Sequence, residues 1–202
     1  MSSPGANDNA TGVAAVLELA AAFREATPKR TLRFVAFVNE EPPYFQTDDM
    51  GSMRYAARCR QRGERVVAMI ALDGLGCYLD ESGTQAYPLP VDFMYPSRGD
   101  FIAMIGNLSS RSLLHKAIGS FRLHARFPSE GAVLPGSVPQ AGWSDHWAFW
   151  RHDYPGMMVT DTLPFRYLEY HTPNDTPDRI DADRFARVVD GLRHTVDALV
   201  NR

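Results

Sequence analysis

Cysteine is scarce in this chain: two residues, Cys59 and Cys77, among 202. That excludes a disulfide-stapled scaffold and a cysteine-ligated zinc site, and leaves open one bridge or two buried thiols. Long apolar runs are missing too. The longest uninterrupted one, Val66–Leu72, is far too short to cross a bilayer. Positive charge is not in excess, with 21 Lys and Arg against 24 Asp and Glu and a net charge of −3. Such a chain has no basic field to hold nucleic acid. No glycine-rich phosphate loop follows a strand, and no Gly-x-Ser-x-Gly elbow is present. Internal repeats and low-complexity segments are absent, and no signal peptide is visible before Ser2. Compartment and oligomeric state are left open by all of this. What remains is the composition of an ordinary soluble globular protein, with length for one domain and a sizeable core.

The stretch that organises the chain is Arg33–Glu41. Its apolar run, Phe34–Val38, has the length and the β-branched and aromatic content of a buried strand. It ends abruptly in Glu40 and Glu41. Open α/β sheets bind ligands beyond the carboxyl ends of their strands, so both carboxylates are expected where such folds do chemistry. Neighbouring residues leaving a strand point different ways, which lets one carboxylate bind a metal while the other faces a water.

Before this strand, the turn-rich Pro4–Gly12 leads into a helix over Val13–Phe23, capped by Asn9 or Thr11. Asp8 then lies just ahead of a helix amino terminus. After it, Pro42-Pro43 forces the chain out, and a second helix is expected from Asp48 to Arg62, stopped by Gly63. Val66–Leu72 reads as the next strand, ending in Asp73-Gly74. Gly76–Tyr95 is turn-rich with room for an added hairpin. A strand at Asp100–Ile105, a helix from Ser109 to Leu123 and a loop over Phe127–Gly142 follow. Ser144–Trp147 opens a short helix, Gly156–Thr160 is a strand, Asp161–Tyr170 is a loop, and Ala182–Val200 is the last helix. The alternation predicts a parallel αβ arrangement.

Asp8, Glu40, Glu41, Asp73 and His171 all fall at element ends. Gathered without a cation they would repel one another, and a mixed nitrogen and oxygen donor set suits zinc best, with manganese or cobalt as alternatives. At this point the chain resembles a known family, the M28 zinc aminopeptidases, which share their fold with the animal glutaminyl cyclases. The resemblance is carried by Gly5-Ala6-Asn7-Asp8-Asn9-Ala10-Thr11-Gly12, Asn39-Glu40-Glu41-Pro42-Pro43, Leu72-Asp73-Gly74-Leu75-Gly76, Ser144-Asp145-His146 and Tyr170-His171-Thr172-Pro173-Asn174-Asp175-Thr176. It covers nearly the whole chain in matching order.

The resemblance implies a three-layer α/β/α sandwich with a mostly parallel mixed sheet, spanning residues 1–202 as one catalytic domain. It implies Asp8 as a bridging metal ligand, Glu41 and His171 completing one zinc site, and Asp73 on the other. Glu40 becomes the general base, and Tyr170 steadies the tetrahedral intermediate. The Asp8–Asn9 peptide is expected to be cis. Asp145 and His146 are assigned to the substrate pocket or to the surroundings of the metal ligands. Read from the residues alone, Trp143, Trp147, Phe149 and Trp150 are candidates for an apolar side-chain pocket, although aromatic density more often marks core. The implied substrate is a peptide or aminoacyl compound with a free amino terminus.

One departure bears on the metal count. The family supplies a His-x-Asp motif from a strand ahead of the Gly-Ala-Asn-Asp loop, and the chain begins inside that loop. An incomplete amino terminus is therefore expected, with one full zinc site, Asp8/Glu41/His171, where the family pattern has two. A single-zinc aminoacyl cyclase and a non-catalytic binding module stand as the rival readings.

Overall fold

The computed structural model describes residues 3–88 and 92–201. Its main sheet has four strands in the order β1-β6-β4-β5: β1 (Met69–Leu72), β4 (Ile102–Gly106), β5 (Ser129–Val133) and β6 (Gly156–Thr160). β1 pairs parallel with β6 and β4 parallel with β5, while β4 and β6 run antiparallel. The sheet is thus mixed and mostly parallel, as expected. A separate two-stranded ladder joins β2 (Leu79–Ser82) to β3 (Arg98–Gly99). It partly answers the hairpin expected over Gly76–Tyr95, of which residues 89–91 lie outside the described residues.

Strand alternation sends successive side chains to opposite faces, and each face is covered by helices. On one face Ile102, Met104, Met157 and Val159 pack with α1 (Thr11–Ala22), α3 (Arg111–His124) and α5 (Ala182–Val200) through Leu19, Leu114, Phe121, Val188 and Leu192. On the other, Met69 meets α2 (Gly51–Gln61) and α4 (His146–Trp150) through Ala56, Cys59, Ala148 and Phe149. This is the three-layer sandwich. Both cysteines are buried and free. No helix among the described residues is long and apolar enough to cross a membrane.

Two expectations need correction. Residues 34–38 are not a strand. Phe34 packs into the first core and Phe37 into the second, as an extended segment would allow, but no ladder pairs it with a neighbour among the described residues. Apolar content suits a strand, yet a strand exists only where a partner accepts its hydrogen bonds. The second correction is β5, which occupies part of the stretch read as a loop. Pro128 and Pro135 flank it rather than interrupt it, and Gly131 disguises its alternation.

The helices follow their expected bounds closely. Asn9 Oδ1 accepts from Gly12 N at 3.1 Å and so caps α1. Gly63, at φ +64°, ends the second helix in the left-handed conformation that glycine adopts freely. Where α3 and α5 meet, a Cβ on Gly191 would lie 2.5 Å from Ala125 Cβ and from Phe121 Cε2. Gly191→Ala is therefore expected to destabilise the fold. Its gain of about 1 kcal/mol in helix propensity is outweighed by overpacking of about 1–3 kcal/mol. Thermal denaturation checks this, and an unchanged or higher midpoint would contradict the close packing.

Candidate metal centre

β1 and β6 are parallel, so their carboxyl ends share one rim, and the candidate residues gather there. Asp73 follows β1 and donates its backbone N–H to Val159 O on β6. Gly74 turns the chain at φ +65°. A Cβ there would lie 2.3 Å from Leu163 Cδ2, so the tight approach also requires glycine. Asn39 adopts φ 59°, a left-handed turn that asparagine tolerates. After that turn the chain leaves Glu40 half-buried and Glu41 exposed.

Asp8 is fixed from several sides. The Asp8–Asn9 peptide is cis, as expected. Asn9 Nδ2 donates to Leu72 O, and its Oδ1 accepts from Gly74 N, tying the loop to the end of β1. Asn7 Nδ2 donates to Asp161, and Asn7 Oδ1 accepts from Gly76 N. Asp175, fully buried, accepts from the backbone N–H of Asn7 at 2.7 Å and of Asp8 at 3.1 Å, and from the Tyr167 hydroxyl at 2.8 Å. One carboxylate thus joins the Asp8 loop to the loop carrying His171.

Asp175→Ala would leave those three donors without an acceptor. Each unmet buried donor costs about 1–3 kcal/mol, so a loss of roughly 3 kcal/mol or more is expected in chemical denaturation. An unchanged midpoint would mean that water replaces the carboxylate.

At the centre, His171 Nε2 lies 3.1 Å from Asp8 Oδ2 and 3.1 Å from Glu41 Oε1. The three donor atoms all fall within 4.8 Å of one another. Around them the acidic side chains crowd. Burial, then the charges of Asp73, Asp145, Glu41 and Asp8, pushes the Glu40 carboxyl up to about 9. Burial and then Asp8 push Asp73 up to about 8, and burial and then Glu41 push Asp8 up to about 6. Asp145 is also raised by burial, and one of its oxygens is buried without a partner. Burial first, then Asp8 and Glu41, raises the Tyr170 hydroxyl. The Tyr170 ring stacks on that of His171 with centroids 3.8 Å apart. Carboxylates held this close and this dry need a cation to be charged together. Two carboxylate oxygens and one imidazole nitrogen are a donor set that zinc accepts.

His146 is placed elsewhere. It is fully buried, its Nε2 sits 2.7 Å from Ala141 O, and its ring meets Trp150 edge-on. Of the aromatics nearby, Trp143 borders the cavity beside the centre, whereas Phe149 lies in the second core with Trp147 against it. His115 belongs to a groove on the α3 side, with Arg111 and Arg122. His124 and His194 stack on each other with centroids 4.6 Å apart. The residues missed in the sequence are Asp161, Asp175 and Tyr167. Asp175 stood in a quoted motif without a role, and only its fixed distance after His171 could have signalled one.

A family model, Peptidase family M28, matches residues 1–196. The Escherichia coli (strain K12) protein YfbL is 40% identical over 190 residues, 94% of this chain and 58% of its own length. A probable zinc metalloprotease of Pyrenophora tritici-repentis is 40% identical over 81 residues, 40% of this chain and 18% of its own. Among solved structures, the aminopeptidase from Aneurinibacillus sp. strain AM-1 superposes with a TM-score of 0.65 at 28% identity, over 96% of this chain and 39% of that one. A Bacteroides thetaiotaomicron glutaminyl cyclase reaches a TM-score of 0.62 at 17% identity, over 97% of this chain and 62% of that one, a likeness of fold alone. The chain therefore spans little more than half of YfbL and less of the aminopeptidase.

Proposed function

The chain belongs to peptidase family M28, and from that premise we propose that it is a zinc-dependent aminopeptidase domain, residues 1–202 acting as one catalytic unit. The observation that carries the proposal is the convergence of Asp8, Glu41 and His171, with donor atoms within 4.8 Å of one another, beside the half-buried Glu40. Asp8, Glu41 and His171 would hold the zinc, and Asp73 together with Asp8 would hold any second ion. Zinc in that site supplies a water of pKa lowered toward about 7 and a Lewis acid for the substrate carbonyl.

The remaining roles belong to the chain's own groups. Glu40 takes the water's proton on its carboxylate and returns it to the leaving amine. The Tyr170 hydroxyl donates to the developing oxyanion. The crowded carboxylates attract the free α-amine of a peptide or aminoacyl substrate. Support for zinc comes from the Pyrenophora relative, and support for exopeptidase action from the Aneurinibacillus structure.

A second reading, a single-zinc aminoacyl cyclase, draws on the same three-ligand set and on the likeness to the Bacteroides cyclase. The two differ in their use of water. Incubating the zinc-supplied chain with leucyl-arylamide and, separately, with amino-terminal glutaminyl peptides decides between them. Arylamine release from the first is the expected result. Ring closure of the second without arylamine release would favour the cyclase, and no turnover of either would favour a binding module.

A further inference from the structure

Beside the carboxylate cluster lies a cavity of about 100 Å³ whose wall includes Tyr170 and Trp143. Its floor is the sheet itself. Residues facing each other in register share a face, and continuing the β1–β6 register by one residue sets Asp73 opposite Thr160. Thr160 pairs with Ala103, and Ala103 with Glu130. A single row thus runs Asp73–Thr160–Ala103–Glu130 across all the strands of the sheet. A Cβ on Gly131 would meet Ile118 and Leu114 of α3, so Glu130 beside it leaves β5 on the opposite face, although from this edge strand it also borders the α3-side groove that holds Arg122. That is the face of Thr160 and Ala103, all of them in the cavity wall. Three strand spacings of about 4.8 Å place Glu130 about 14 Å along the row from Asp73.

Between these ends the wall is mostly apolar, with Ile105, Met158, Leu163 and Phe165 among its members. Among the described residues of the wall, Glu130 is the one carboxylate. Tyr95, also in the wall, donates its hydroxyl to Gly131 O, next to Glu130, at 3.2 Å. The Glu130 carboxylate accepts no hydrogen bond among the described residues. Arg122 approaches only to 3.8 Å, with both side chains part-exposed, and its guanidinium already donates to Ser129 O and Oγ. A loose pair of that kind holds its partners weakly.

An acidic cluster that draws an α-amine, an apolar passage and a carboxylate with unused acceptor capacity follow one another along one row. Lysine and arginine bury their methylene stems along apolar surface and keep the charged head beyond it. Resting on the aminopeptidase reading above, we propose that the cavity receives the side chain of the substrate's amino-terminal residue. Glu130, on its far rim, selects a long side chain ending in a cation.

The test compares lysinamide with norleucinamide, which has the same stem without the ammonium group, by titration calorimetry on the zinc-supplied chain. Lysinamide is expected to bind roughly three- to tenfold more tightly. Glu130→Gln is expected to bring the two within twofold while norleucinamide affinity stays as it was. Equal affinities in the unmodified chain, or a lysine preference that survives Glu130→Gln, would overturn the proposal. The first comparison needs no variant, so a failure of Glu130→Gln to fold leaves the proposal open to refutation. Turnover of norleucyl-arylamide, measured alongside, separates the two possible failures. Turnover without a lysine preference overturns the role of Glu130 alone. Binding without turnover overturns the peptidase reading and with it the claim that a substrate occupies the cavity.

Discussion

Glu40→Gln is expected to lower turnover of aminoacyl-arylamides on the order of 10²–10⁴-fold, the usual contribution of a general base, while zinc content stays unchanged. The expectation follows from the different surroundings of two adjacent glutamates. Glu41 is exposed and lies 3.1 Å from His171, in the group that could hold a metal. Glu40 is half-buried near the charges of Asp73 and Asp145 and, among the described residues, is not one of the three whose donor atoms gather within 4.8 Å of one another. Glutamine keeps the volume and one acceptor oxygen of the side chain but cannot carry a proton from water to amine. Metal analysis and initial rates on one preparation check both halves. Retained turnover would remove Glu40 from the chemistry, and lost zinc would mean that the roles of the two glutamates are exchanged.

The second large effect concerns the metal itself. Glu41→Ala and His171→Ala each remove one member of a three-residue set and are each expected to weaken zinc binding by more than about 100-fold, since zinc sites rest on at least three protein ligands. Asp73→Ala leaves that set intact and is expected to change affinity little. The unmodified 202-residue chain is expected to hold about one zinc, because Asp8 and Asp73 alone are two carboxylates, one of them shared. Competition with a chromophoric chelator gives the affinities, and mass spectrometry under native conditions gives the count. Equal losses in all three variants would dissolve the distinction between the sites. Two tightly held ions in the unmodified chain would require a further ligand.

The parts of the fold legible in the sequence are those where local chemistry and tertiary role coincide. Ala182–Val200 shows its apolar stripe at helical spacing, and its bounds came out as read. Gly63 marks the stop of the second helix, which it ends in the left-handed conformation that glycine adopts freely. The candidate site was legible for a related reason. Its side chains stand at element ends, where a charged residue after an apolar run is visible as a break in pattern. What stayed hidden depends on partners far away in the chain. Phe34–Val38 has a strand's composition, but nothing local says whether a ladder partner exists. Ser129–Val133 has a loop's composition, yet β4 supplies its hydrogen bonds. Asp175 could not be distinguished from an ordinary turn aspartate, because its partners, the Asn7 and Asp8 amides, lie more than 160 positions earlier. Glu130 became a candidate only once the register aligned it with Asp73.

The central claim is that Asp8, Glu41 and His171 hold the ion on which peptide-bond hydrolysis depends. Its most direct measurement is the rate of leucyl-arylamide hydrolysis as zinc is added back to the chelator-stripped chain, with His171→Ala run in parallel. The expected result is no turnover without zinc, a rise that saturates near one equivalent, and no rise at the same zinc concentrations in His171→Ala. Turnover in the stripped chain, or the same zinc curve with and without His171, would contradict it.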